Sequence, residues 1–172
     1  MNTLYSPDTI RSLDAIDKQR WLYWNVPPYF AALWVRQGQA HLGRRVGLVW
    51  NELRWSKSTT LKKADCHSQL AAATSLLVGI DQDHFVQTLH NLTTITAAAG
   101  EKRTTFGNQH GTRLFVIVLC FDCDLYLKSA LLELGADYVV DRIESVPSIT
   151  RMITTNGRSF PANPHPFLPM IV

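Results

Sequence analysis

Cys120 and Cys123 form a C-x-x-C pair, the most compact chemical motif in the chain. The pair falls where the apolar run Leu114–Phe121 (LFVIVLCF) gives way to a segment of helical period, and a helix N-terminus can lower a thiol pKa. The intervening Asp122 opposes thiolate formation, and a redox pair of thioredoxin type would follow an early strand rather than this late one. The plainer expectation is a buried Cys120 and a partly exposed Cys123. A zinc reading adds His84 to the two cysteines, with Asp81 and Asp83 beside it, although the spacing matches no zinc module and Cys66-His67 lies across the sheet. Asp81 follows the compact run SLLVGI, so it stands at the carboxyl end of a buried strand, either as a functional acid or as a cap for the next helix. The glycine-rich stretch Gly107–Gly111 precedes a strand, whereas a phosphate loop follows one and opens a helix. No G-x-S-x-G, Walker A or dinucleotide fingerprint occurs, and no cofactor is expected.

The elements that must position these groups follow from composition and period. The chain has 172 residues, 46% hydrophobic and 18% charged, which suits one domain with a sizeable core. No apolar run reaches the roughly 20 residues of a membrane span. The segment from Met1 to Arg20 carries Asp8, Asp14 and Asp17 and no apolar signal-peptide core, so a cytoplasmic protein is expected. A net charge of +3 is too small to imply nucleic-acid binding. Its distribution is uneven: 36–63 holds seven bases against Glu52, and 122–144 holds six acids against Lys128 and Arg142.

Apolar runs alternate with helical segments, the pattern of a layered α/β domain. Strands are predicted at Tyr29–Val35, at Ser58–Ala64 as a polar edge, at Ser75–Ile80, at Leu114–Phe121 and at Tyr138–Asp141. Helices are predicted over Gln39–Trp55, over Cys66–Thr74 capped by Asp65, over Phe85–Ala99, from Asp122 or Asp124 to Gly135, and from near Pro147 to Asn156. The expected architecture is a doubly wound, five-stranded parallel sheet of order 2-1-3-4-5 with helices on both faces. It would occupy 29–157, between an N-terminal extension (1–28) with a short helix and an extended, proline-rich tail (158–172).

Five βα units ending in ALLELGADYVVDR (Ala130–Arg142) resemble the receiver domain of two-component response regulators, a CheY-like, flavodoxin-like fold. The resemblance spans roughly residues 29–155. It implies a phosphoacceptor aspartate at Asp81, a hydroxyl residue where Cys120 stands, and a lysine where Arg142 stands. It also implies an acidic Mg²⁺-binding pair after the first strand, where the predicted strand runs into Val35, Arg36, Gln37 and Gly38. The site is therefore expected to be a degenerate one, made of Arg36, Asp81, Cys120 and Arg142, with Arg36 paired directly to Asp81.

The leading functional expectation is a non-enzymatic pseudo-receiver that binds a protein partner or itself. The aromatics Trp21 and Trp24, or Phe160 and Phe167 of the tail, would supply the contact. A phosphoacceptor or small-ligand domain built on Asp81 is the alternative, and a thiol or metal site at Cys120, Cys123 and His84 is a further one. A crevice at the carboxyl ends of the strands would favour ligand binding.

Overall fold

The computed structural model describes residues 18–42, 47–105, 114–121 and 123–156. Five parallel strands form one sheet: β1 (Lys18–Trp24), β2 (Gly47–Glu52), β3 (Ser75–Gly79), β4 (Phe115–Leu119) and β5 (Tyr138–Val140), in the order β2-β1-β3-β4-β5. The connecting helices are α1 (Pro28–Leu42), α2 (Lys63–Leu70), α3 (Phe85–Thr105) and α4 (Leu125–Glu133). A 3₁₀ turn at Ile143–Ser145 leads into α5 (Val146–Asn156). The doubly wound sheet and its strand order are those expected.

Alternate strand residues feed two cores. Leu22, Trp24, Leu76, Val78, Val116 and Val118 pack toward α2, α3 and α4, where Cys66, Leu70, Leu92, Ile95 and Leu131 meet them. Trp21, Leu77, Phe115, Ile117, Leu119 and Val140 pack toward α1 and α5, against Phe30, Trp34, Val146, Ile149 and Ile153. Every residue of β3 and β4 is buried, as strands covered on both faces require. Truncating one such leucine to alanine costs about 2–5 kcal/mol.

The first two strands lie elsewhere than the sequence predicts. Tyr29–Val35 belongs to α1, not to a strand. Phe30, Ala31, Trp34, Val35 and Gly38 are its buried positions, a helical spacing hidden within a composition that favours strands. Pro28 is its first residue, and the Pro27 carbonyl accepts the Phe30 and Ala31 amides, so the proline pair starts a helix rather than an extended approach. The first strand is instead Lys18–Trp24, so the sheet begins ahead of the expected boundary at residue 29. The predicted helix over Gln39–Trp55 is divided between the end of α1 and β2. As an edge strand, β2 is exposed along most of its length, so its apolar residues need not alternate. Ser58–Ala64 is not a strand, since β2 already holds the edge, and Asp65 sits inside the first turn of α2, where Lys62 occupies the cap position.

The closing unit follows the sequence closely. Asp124 caps α4 by accepting the Leu127 amide at 2.7 Å. Gly135 takes φ +99°, Ala136 is buried, and the Asp137 carboxylate accepts the Val116 amide at 2.8 Å. The Gly-Ala-Asp sequence thus ends a helix in a left-handed turn and ties the start of β5 to β4. The tail 158–172, with Phe160 and Phe167, and the predicted helix within 1–17 lie outside the described residues.

Candidate functional site

In a parallel sheet all strands end at one edge, and here that edge gathers Asn25, Lys57, Asp81, His84, Cys120 and Asp141. Strand β1 ends in Trp24 and passes into Asn25, Val26, Pro27 and Pro28, none of them acidic. Asn25 has φ 55°, and its amide nitrogen donates to the Gly79 carbonyl at 2.9 Å. A Cβ at Gly79 would lie 1.9 Å from the Asn25 carbonyl oxygen, so glycine is what lets the ends of β1 and β3 close on each other.

Asp81 lies two residues beyond β3, with its side chain 16% exposed. Its Oδ1 accepts the Asp83 amide at 3.0 Å, so the carboxylate closes the turn before α3 rather than capping the helix itself. Its Oδ2 is 3.4 Å from both Lys57 Nζ and His84 Nδ1. Burial alone would raise the Asp81 pKa, but the Asp83 amide, the Lys57 ammonium and the His84 ring outweigh it and hold the carboxyl below its ordinary value.

The loop 53–62 carries Lys57 to this place and is anchored at both ends. The Trp24 indole donates to the Trp55 carbonyl at 3.1 Å, and the two rings meet edge to face at 5.9 Å. At the far end the fully buried Asn91 of α3 accepts the Leu61 amide at 2.9 Å and donates to the Thr59 carbonyl at 3.0 Å. A polar segment that reads as an edge strand is therefore a loop held down by side chains of α3, chiefly Asn91.

The expected Arg36–Asp81 contact is absent. Arg36 lies two turns into α1 and is exposed, because its segment is helical and carries it away from the edge. Arg142 is exposed at the start of the 3₁₀ turn, and the strand-end charge beside it is an acid: Asp141 pairs with Lys128 at 2.7 Å. The hydrogen bond from Lys128 holds the Asp141 carboxyl below its ordinary value. Cys120 is buried at the end of β4, its amide donating to the Val140 carbonyl. Cys123 is half-buried with its thiol on the Asp124 carbonyl, and His84 turns to Asp81. No group of three potential metal ligands comes together among the described residues. Trp21 and Trp24 are each only 1% exposed, so as core residues of β1 they offer no contact to a partner. Asn25, Lys57 and Asn91 are not predicted from the sequence; only Lys57 carries a signal there, as one member of the basic stretch.

Strand order and layers define a receiver-like α/β fold. No family model matches the chain, and no curated protein matches it. Solved structures share the fold. A CheY-like protein (tadZ) from Pseudomonas aeruginosa superposes with a TM-score of 0.53 at 16% identity, over 85% of this chain and 98% of that one. A protein from Burkholderia pseudomallei described as pilus assembly-related gives 0.50 at 10% identity, over 90% and 96%. At these identities the likeness is one of fold. No described helix is long and apolar enough to cross a membrane.

Proposed function

We propose that the chain is a receiver-fold protein-interaction module whose Asp81 pairs with Lys57 and His84 rather than serving as a phosphoacceptor. The observation that carries this is the position of Lys57, whose ammonium lies 3.4 Å from the Asp81 carboxylate at the strand ends. The usual cation ligands are missing in kind: Asn25 and Val26, neither of them acidic, follow β1. One carboxylate shared with a lysine and a histidine is a poor site for Mg²⁺, which needs several oxygen ligands. Without that cation, the charge developing on a transferred phosphoryl group lacks its main stabiliser.

Contact surface for a partner lies on α4, where Leu125 and Tyr126 are 75% and 86% exposed. Clustered exposed apolar residues are a common mark of interaction sites. The reading is tested by ¹⁹F NMR of the full chain with Mg²⁺ and beryllofluoride. The expected spectrum holds only free fluoroberyllates, and a protein-bound signal lost in Asp81→Asn would overturn the proposal.

A further inference from the structure

The loop after β2 reaches Asp81 and also walls a cleft of about 350 Å³ at the carboxyl ends of β1 and β2. That volume falls in the range of small-molecule sites, and doubly wound sheets bind ligands at this edge. The cleft lies beside Asp81 rather than over it. Trp55, half-buried, and Pro28, exposed, give it flat apolar walls. Arg54 stands exposed on it and has no ion-pair partner among the described residues. Lys57 adds a second cation, against the single acid Glu52. The Trp55 indole N–H is buried and finds no acceptor among the described residues, a costly state for a donor.

We propose that this cleft binds a small planar anion, an aromatic ring bearing one phosphate or carboxylate group. The ring lies against the tryptophan and proline walls. The anionic group meets the Arg54 guanidinium, whose fork of donors matches either oxyanion. Lys57 is common to the cleft and to Asp81, so a bound anion competes with Asp81 for one ammonium. The proposal is independent of whether Asp81 accepts phosphate.

The test is a titration of the ¹⁵N-labelled full chain with phenyl phosphate, benzoate, inorganic phosphate and benzyl alcohol. The readout is the Trp55 indole resonance, assigned by its loss in Trp55→Phe. Phenyl phosphate or benzoate should shift it saturably, and the tighter of the two names the anion. Inorganic phosphate and benzyl alcohol should each bind at least about tenfold more weakly, since each lacks half the recognition. Arg54→Ala should weaken the aromatic anion about tenfold or more while unfolding at the temperature of the parent. No saturable shift, an unchanged affinity in Arg54→Ala, or equal binding of inorganic phosphate (an adventitious ion only) would overturn the proposal.

Discussion

Lys57 Nζ lies 3.4 Å from Asp81 Oδ2, on a loop that Asn91 of α3 fastens from below. The cation that meets the strand-end acid thus comes from the connection after β2, twenty-four positions earlier in the chain, and is seated by a third element. Removing Lys57 should act first on the acid. In Lys57→Met, the Asp81 carboxyl should titrate closer to its ordinary 3.8, because a major influence lowering it is gone. A carboxyl lowered in the folded state stabilises fully above its unfolded pKa and loses that contribution as pH falls through the folded one. The parent should therefore gain stability over Lys57→Met above about pH 4 and lose the advantage as the pH falls through the folded-state pKa. Lys57 is half exposed, so the gain should stay within about 1 kcal/mol. Carboxyl ¹³C titration and urea unfolding at several pH values measure both.

Asn91→Ala should do more than cost stability. Two loop backbone groups lose their partners inside the protein, a loss of about 1–3 kcal/mol if they stay buried. The Leu61 amide should then exchange faster with solvent, and the Asp81 pKa should drift upward as Lys57 loses its seat. An Asp81 pKa unchanged in this variant would show that the loop holds Lys57 without Asn91.

Gly79→Ala places a methyl group 1.9 Å from the Asn25 carbonyl oxygen, a backbone atom with no rotamer to escape into. Overpacking of this kind costs about 3 kcal/mol or more when backbone must move. Chemical unfolding should show that loss, and the indole signals of Trp24 and Trp55 should shift with the displaced β1 end.

The three thiols should react in a fixed order. Cys123 is half-buried and should react first with a disulfide reagent, while Cys66 and Cys120 stay protected until the domain opens. Burial pushes the Cys66 thiol up to about 11 from its ordinary 9.0, with Asp65 adding to the rise. Between those values the unfolded thiol ionises and the folded one does not, so stability should decline through that window. Rapid modification of Cys66 at neutral pH in the folded protein would contradict this.

The part of the fold legible in the sequence was the part where local and tertiary signals agree. Leu114–Leu119 is apolar on both faces, and Gly135-Ala136-Asp137 carries the local signal of a left-handed helix end. The first half misled because burial overrode composition. Lys18–Trp24 opens with Lys, Gln and Arg and so hides a central strand, while the aromatic and β-branched content of Tyr29–Val35 conceals a helix. The site inherits that error. Once β1 moves, Arg36 leaves the strand end and Asn25 takes its place, although both segments lack the acidic pair. The position of Asp81 could be read because β3 could be read. Its partner could not, since Lys57 is brought there by a long-range anchor, Asn91, that no local pattern announces.

The most direct test of the central claim is chemical phosphorylation of the unmodified chain. The protein is incubated with acetyl phosphate and Mg²⁺ and its intact mass is followed, with Asp81→Asn as reference. With Asp81 held by Lys57, and no acidic pair beside it, the expected result is an unchanged mass in both proteins. Addition of one phosphoryl group to the parent, absent from Asp81→Asn, would contradict it.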